Sequence, residues 1–333
     1  MRRRHFITLF SGAAAPAILW SLTSSAQQQE RVRRLGALMP YVENDRDSQG
    51  RLTAFQQGLE KLGWTVGRNL AIDYRWGIIN FERARAAVIE LLTRMPDVIL
   101  ANATPSVQGL LSVTRAVPAV ATLITEPVAF GFVESLARPG GNLTGFTYLA
   151  PTVGGKWLDL LREIAPRVTR VGFIFNPPAS PYAGLFYGSI QVAAAGFAMQ
   201  TMSIPIHEPA EFEPVLAELA REPGGGLIID PDAFTSSHRQ LIIELAARYQ
   251  LPAIYSRRFF STDGGLASYG IDDNEHFRQV AAYIDRILRG ERPADLPIQQ
   301  PTKFELAINL KTAKAIGIEL PTEILIRADD VIE

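Results

Sequence analysis

The chain has 333 residues, with 33 Lys or Arg, 34 Asp or Glu and no Cys, and its formal net charge is −1. The lack of Cys excludes a disulfide framework, a thiolate nucleophile, a Cys-ligated metal and a lipid-modified cysteine. The near-neutral charge offers nothing that attracts a nucleic acid or an anionic membrane.

The N-terminus has the pattern of an export signal. Arginines at positions 2–4 precede an apolar stretch, 6–22, that ends in small residues. The stretch is shorter than the roughly 20 residues of a membrane-spanning helix, so we expect residues 1–26 to be a signal peptide, cleaved after Ala26, that sends the protein to the periplasm. The arginines at positions 3 and 4 also resemble a twin-arginine motif; the basic region of an ordinary Sec signal fits equally well.

After residue 34 the chain alternates short apolar runs with amphipathic segments. A buried strand is predicted at 35–39, followed by a helix with Ser48 as its N-cap and Gly63 as its end. Further strands are predicted at 70–76, 98–101, 119–123 and 143–147, with helices at 81–94 and from Pro105. Continuous apolar runs separated by helices favour a parallel sheet that is covered on both faces.

The same alternation restarts after Pro151 and predicts a second unit of the same kind. Its strands are expected at 170–175, 197–203, 226–230 and 253–255, with helices at 152–164, from 182, at 209–221 and at 236–249. A further strand at 265–270, a helix at 274–288 and a strand at 304–310 follow. A chain of this length has material for two cores.

The predicted fold is therefore α/β, with two doubly wound parallel-sheet lobes. We assign residues 31–147 plus 265–298 to the N-terminal lobe, and 148–264 plus 299–333 to the C-terminal lobe. The chain then crosses between the lobes near 148, 261–264 and 299–302, which makes a three-strand hinge that permits opening and closing. Ligands of such sheets bind outside the carboxyl ends of the strands.

A family resemblance appears at residues 126–145, EPVAFGFVESLARPGGNLTG, and again at 300–306, 309–314 and 327–329. These segments resemble the signatures of ABC-transporter substrate-binding proteins, the group that includes the tryptophan-binding TrpX-like lipoproteins. The resemblance spans essentially the whole chain. It implies a type I periplasmic binding protein fold, delivery of a small solute to an ABC permease in the inner membrane, and no enzymatic activity or cofactor.

The resemblance also points to binding residues, where motifs match. Thr104 and Ser106 flank Pro105 in a turn similar to the family's Thr-Pro-Ala turn, and Glu126 stands in the place of its Asp-Pro turn. Thr147 matches the Gly-x-Ser/Thr pattern, and Asn176 the Asn-Pro turn of the second lobe. The loops at 41–45 and 178–182 depart from the family, so the tryptophan specificity of some relatives is not transferred.

The residue types suit a small polar solute. Thr104 and Ser106 lie where a helix begins, and the N–H groups and dipole there favour a carboxylate, although Thr104 alternatively only caps its helix. Glu126 and Asp230 end strands, where they either pair with an ammonium or sugar hydroxyls or face solvent.

Aromatic and basic residues complete the set of candidates. Tyr41, Tyr182 and Tyr269 are candidates for stacking on the ligand, or else are core residues. Arg257 and Arg258 either clamp a carboxylate or form a solvated or interdomain pair.

Other functions find less support in the sequence. The segment Gly154-Gly155-Lys156 lacks the spacing of a phosphate-binding loop, no Gly-x-Ser-x-Gly elbow occurs, and the histidines lie far apart without metal-ligand spacing. We expect a monomeric solute receptor that favours an amino acid or aromatic carboxylate. The alternatives left open are a secreted two-domain enzyme using Glu126 and Asp230, and a sensory co-receptor.

Overall fold

The computed structural model describes residues 31–333, so the predicted signal peptide at 1–26 lies outside the described residues. Within that range, no helix is both long enough and apolar enough to cross a bilayer.

The first unit is a five-stranded parallel sheet with the strand order β2-β1-β3-β4-β5. Its elements are β1 (Arg33–Leu38), α1 (Arg46–Lys61), β2 (Leu70–Arg75), α2 (Phe81–Leu92), β3 (Val98–Asn102), α3 (Thr104–Val113), β4 (Ala119–Ile124) and β5 (Leu143–Thr147). Strands β3, β4 and β5 are buried along their whole length, as the continuous apolar runs predicted. Asp45, not Ser48, caps α1, because its carboxylate accepts the Ser48 N–H.

The second unit is a seven-stranded sheet in the order β12-β11-β10-β9-β8-β6-β7, in which only the β10–β11 pair is antiparallel. It begins with α4 (Val153–Ile164), β6 (Arg170–Phe175), α5 (Ala183–Ala195), β7 (Gln200–Pro205), α6 (Phe212–Ala220), β8 (Gly225–Ile229), α7 (Ala233–Ser237), α8 (Arg239–Arg248) and β9 (Ala253–Tyr255). It ends with α9 (Arg258–Thr262), β10 (Ala267–Gly270), α10 (Asp273–Leu288), β11 (Glu305–Asn309), α11 (Leu310–Ala315), α12 (Thr322–Arg327) and β12 (Asp330–Ile332).

The chain passes between the two sheets after β5, between β10 and α10, and before β11. The sequence placed all of 265–298 with the first sheet, and for β10 this was wrong, because β10 pairs with β9 and β11 in the second sheet. Helix α10, by contrast, packs along α1. The second crossing therefore follows Gly270 and not 261–264. The apolar pattern of a strand does not reveal which sheet it joins.

Gly145 shows how tightly β4 and β5 approach one another beside the first crossing. Its φ is +138°, and a Cβ built on it would lie 1.9 Å from the Ala121 carbonyl oxygen. Two residues later, the Thr147 N–H donates to the Gln299 carbonyl, which ties two of the crossing segments together. A side chain at position 145 would push these strands apart.

We expect Gly145→Ala to lower the free energy of unfolding by about 2–4 kcal/mol, since it combines backbone strain with overpacking. Gly141→Ala is the matched control, because nothing lies within 4 Å of a Cβ at that position. Urea unfolding of both variants measures the difference, and equal midpoints would contradict this account of Gly145.

Candidate ligand-binding cleft

The carboxyl-terminal edges of the two sheets face each other and are in contact. Arg257, which follows β9, places Nη1 2.6 Å from Oδ2 of Asp273 at the start of α10, and Arg51 of α1 approaches the same oxygen to 3.4 Å. Asp45 of the first lobe and Arg239 of the second form a further ion pair at 3.0 Å. These contacts describe a closed arrangement of the two lobes.

Buried polar atoms without a protein partner are concentrated along these two edges. In the described chain, twelve buried side-chain nitrogen and oxygen atoms have no hydrogen-bond partner. The first lobe contributes Ser48, Arg51, Asn102, Ser106, Thr125 and Asp273, and the second contributes Ser180, Asp230, Ser256 and Arg257. All of these residues except Arg51, which lies deeper within α1, stand at the last residue of a strand, in the loop that follows it or in the first turn of the next helix. Since folded proteins pair nearly all buried polar groups, this concentration indicates a site for a polar ligand.

The start of α3 presents unpaired polar groups to the cleft. No side chain caps this helix, whose N-cap residue is Ala103 with φ +75°. Thr104 is fully buried, but its hydroxyl accepts the backbone N–H of Thr125 at 3.4 Å. Thr104 thus positions Thr125 and does not cap its own helix. The hydroxyls of Ser106 and Thr125 have no partner and lie beside the positive end of the helix dipole, where a carboxylate is favoured.

Two aspartates follow β8 and have different roles. Asp232 caps α7 by accepting the Thr235 N–H at 2.6 Å, and it also accepts the Asn176 N–H at 2.9 Å. Asp230 is fully buried, and neither of its carboxylate oxygens makes a hydrogen bond within 3.5 Å, although Ser180 and Arg257 are near enough to favour its charged form. Burial, and secondly the nearby Asp232, raise the pKa of Asp230 well above its usual range. Burial likewise raises the pKa of Asp232 to about 6, although its backbone donors oppose the rise. Asp230 is therefore the carboxylate left for a cation.

An Arg–Asp–Arg cluster lies beside these aspartates, since Arg257 follows β9, the strand next to β8. Burial disfavours the charge of Arg257, but Asp273, together with Tyr148 and Tyr41, outweighs it and raises the pKa of Arg257. Arg257 and Arg51 hold the pKa of Asp273 below its usual value despite burial. The guanidinium carbons lie 4.8 Å and 4.3 Å from the ring centroids of Tyr148 and Tyr41, respectively. These contacts fix both arginines, and they leave Nη2 of Arg51 and Nε of Arg257 buried without a hydrogen-bond partner.

The structure brings some of the sequence-predicted site residues to this cleft edge. Tyr41, Thr104, Ser106, Tyr182 and Asp230 are all buried after strand ends. Burial, and secondly the negative charge of Asp230, raise the pKa of Tyr182, which places its hydroxyl near that carboxylate.

Other sequence-predicted residues already have structural partners. The Asn176 amide bonds the Ile206 carbonyl and the Ala179 N–H, and the Thr147 hydroxyl bonds the Gln299 carbonyl at a crossing. The Tyr269 ring stacks on Phe304. Arg258 is exposed and pairs with Asp330. Glu126 is half-buried and adopts φ +47°, and the residue that raises the pKa of Asp230 is Asp232 and not Glu126.

Sequence reasoning missed several residues of the cleft. Asn102, Thr125 and Ser256 each stand at or directly after the last residue of a strand, a signal that was available. Arg51 in the middle of α1 and Asp273 after β10 carried no such signal, because their position depends on how α1 and α10 pack together.

An open pocket of about 660 Å³ has six carboxylates in its lining and also includes Arg51. Each of these carboxylates accepts at least one hydrogen bond within the protein, although Oδ1 of Asp273 accepts none; they are Asp263, Asp272, Asp273, Glu305, Asp329 and Asp330. Asp230 and the start of α3 do not line this pocket, so the candidate site only borders it, at Arg51 and Asp273.

Comparison with known proteins gives the family. The family model described as "ABC transporter substrate binding protein" matches residues 39–332. The chain belongs to this family. Over 266 residues it is 25% identical to a tyrosine-binding protein of Clostridioides difficile strain R20291. This match covers 80% of this chain and 76% of the relative.

Two solved structures share the fold of this chain. A conserved domain protein of Vibrio cholerae superposes with a TM-score of 0.82 at 26% identity, covering 90% of this chain and 100% of the other. An ABC domain from Streptococcus pneumoniae in complex with L-Trp superposes with a TM-score of 0.80 at 22% identity, and the match covers 90% of this chain and 99% of the other. The fold is that of the type I periplasmic binding proteins, as predicted.

The Asp45–Arg239 ion pair is one contact that holds the lobes closed, so we expect Asp45→Asn to favour the open form. Asparagine retains the cap on α1 but loses the ion pair, whose two side chains are only 12% and 13% exposed. A shift of about 1 kcal/mol in the equilibrium from the closed to the open form would raise the radius of gyration measured by solution X-ray scattering. Asp330→Asn, which breaks an ion pair within one lobe, is the control, and identical scattering from both variants would contradict this role.

Proposed function

We propose that the protein is the solute-binding component of an ABC importer and that it closes around an α-amino acid. The observation that carries this proposal is Asp230, a fully buried carboxylate with both oxygens unpaired. Such a group is strongly unfavourable unless it meets a cation. The uncapped start of α3 in the other lobe, with Ser106 and Thr125, offers the matching site for an anion. A zwitterion of ammonium and carboxylate satisfies both.

The sheet topology supports the pairing of these two groups across the cleft. Asp230 follows β8, which lies between β6 and β9 in the second sheet. The start of α3 follows β3, and Thr125 follows β4, its neighbour in the first sheet. The Arg51–Asp273–Arg257 contacts join α1 and the start of α10 to the segment after β9. Since β8 is the neighbour of β9, and β3 lies next to β1 with β4 beyond it in the first sheet, this alignment supports a ligand held between Asp230 and the start of α3.

A ligand held in this way favours closure for a simple reason. A solute drives two lobes together only by binding the closed form more tightly than the open form. Here the ammonium bonds the second lobe through Asp230, and the carboxylate bonds the first lobe at α3. Neither lobe supplies both partners, so the zwitterion is fully bonded only when the lobes meet.

The relatives support an amino acid as the class of solute, since one is named for tyrosine and another is a complex with L-Trp. Delivery to an inner-membrane permease accords with the family, and export to the periplasm accords with the predicted signal at 1–26. We infer a monomeric receptor that binds its solute without a cofactor and releases it unchanged.

We expect Asp230→Asn to weaken amino-acid binding by about 2–5 kcal/mol, because the ammonium would be buried without a carboxylate. Isothermal titration of the protein, freed of solute by unfolding and refolding, with L-amino acids measures the loss. Asp295→Asn removes an exposed carboxylate and serves as the control. Equal affinities in the two variants would contradict the role of Asp230, and failure of the wild-type protein to bind any amino acid would overturn the proposed function.

Binding should also weaken as the pH falls from 7 to 5. Burial and Asp232 raise the pKa of Asp230, so acid protonates it in the unliganded protein, and only the ionised form pairs well with an ammonium. Burial raises the pKa of the neighbouring Asp232 to about 6, so this carboxylate also loses its negative charge as the pH falls from 7 to 5. The affinity is thus retained above the raised pKa and lost below it, by up to about tenfold per pH unit. Titrations at pH 5, 6 and 7 test this, and a flat profile would contradict it.

A further inference from the structure

We propose that two copies of this chain associate reversibly through strand β7, at the free edge of the second sheet, and through the outer face of helix α5 beside it. Three observations carry this inference: a strand edge without protection, a surface without charges, and charged residues placed to pair at its rim. The inference does not depend on the proposed function, because a single chain contains the whole cleft.

Strand β7 is the least protected of the four sheet edges within residues 31–333. It lies beyond β6, and none of its six residues is buried. By contrast, β2 carries an Asp and an Arg, and β12 has only three residues, one of them Asp330. The third crossing covers β5, where the Gln299 N–H donates to the Gly145 carbonyl. Exposed edges pair with further strands unless charge, short length or a cover prevents it, and only Pro205 at its end limits β7.

Helix α5 and strand β7 form a surface without charged residues. No Asp, Glu, Lys or Arg occurs between Arg170 and Glu208, although these four types make up 20% of the chain. A two-fold axis places a surface opposite a copy of itself, so a charge near the axis would meet the same charge. The exposed apolar side chains of this surface include Leu185, Val192 and Met202. The surface therefore suits a second copy of itself.

Pairing of the strands would also bring the two copies of α5 into contact. Helix α5 lies over β6 and β7, because the Tyr187 ring stacks on Phe173 of β6 and its hydroxyl lies 3.3 Å from the Thr201 hydroxyl of β7. With two β7 strands one strand spacing apart, the helix axes are roughly 10 Å apart, close to the distance of packed helices. Gly184 and Gly188 leave room for this approach, since a Cβ on either would have no heavy atom within 4 Å.

The charged residues at the rim of this surface are placed to pair between copies. Arg162 of α4 lies over the Phe197 ring at 4.1 Å, where α5 ends and β7 begins. Glu208 follows the other end of β7. Both charged side chains are exposed, and neither has an ion-pair partner among the described residues. Antiparallel pairing brings the start of one β7 to the end of the other, so Arg162 of each copy lies near Glu208 of the other.

The size of the surface limits the strength of the association. Helix α5 and strand β7 have 13 and 6 residues, so each is roughly 20 Å long. Such a patch is smaller than the about 800 Å² per partner of a stable interface. We therefore expect a dissociation constant of about 10–100 μM, at which the dilute protein is monomeric, as inferred above.

Sedimentation equilibrium of the purified protein at about 1 to 500 μM, a range that spans the expected dissociation constant, tests the inference. We expect the average mass to rise with concentration from that of one chain toward that of two chains. A mass that stays that of one chain at every concentration overturns the inference, and would leave the β7 edge to an extended segment of a different protein.

A charge introduced on the surface should disrupt the pairing. Val192 is 79% exposed on α5, and Val192→Lys would bury an unpaired ammonium between the copies, which should weaken association at least about tenfold. Met95→Lys is the matched control, because Met95 is 77% exposed in the first lobe, and it should associate like the wild type. Association of Val192→Lys at the wild-type level, or equal weakening in both variants, overturns the assignment of this surface. Circular dichroism checks that both variants are folded.

Exchange of the rim charges tests the antiparallel arrangement. Arg162→Glu would place like charges together at both ends of the interface and should weaken association about three- to tenfold. Adding Glu208→Arg restores opposite charges, so the double variant should recover most of the loss. A double variant that associates no better than Arg162→Glu overturns this arrangement.

Discussion

The central constraint on this structure is that a polar group buried away from water must find a partner. Within residues 31–333, the two sheet edges meet and bury a dozen side-chain nitrogen and oxygen atoms that have no hydrogen-bond partner. Elsewhere, equivalent groups are paired, as the capping aspartates at positions 45, 232 and 272 show. The unpaired set therefore predicts the charges of a ligand that would pair it: a cation at one lobe and an anion at the other.

Neighbouring residues of like type divide structural and binding roles between them. Asp232 fixes α7 and the turn at Asn176, which leaves Asp230 unpaired only two residues away. Thr104 holds the backbone of Thr125, and the Thr125 hydroxyl stays unpaired. In each pair, one residue fixes the geometry and the other faces the cleft. Such support lowers the entropy that is lost when a ligand binds.

Much of the fold could be predicted because its signals are local. The buried runs of β3, β4 and β8 and the helices between them follow from periodicity alone. The membership of β10 in the second sheet could not be predicted, since strand pairing depends on contacts between residues that are distant in the sequence. The same limit applies to the site. Asp230 was recognisable at a strand end, whereas Arg51 reaches the cleft only because α1 packs on α10 and meets Asp273.

The most direct test of the account is a crystal structure of the refolded protein grown with L-tyrosine. The account predicts one amino acid between the lobes, with its ammonium bonded to Asp230 and its carboxylate at the start of α3 beside Ser106. An amino acid bound elsewhere, or one whose ammonium lies away from Asp230, would contradict it.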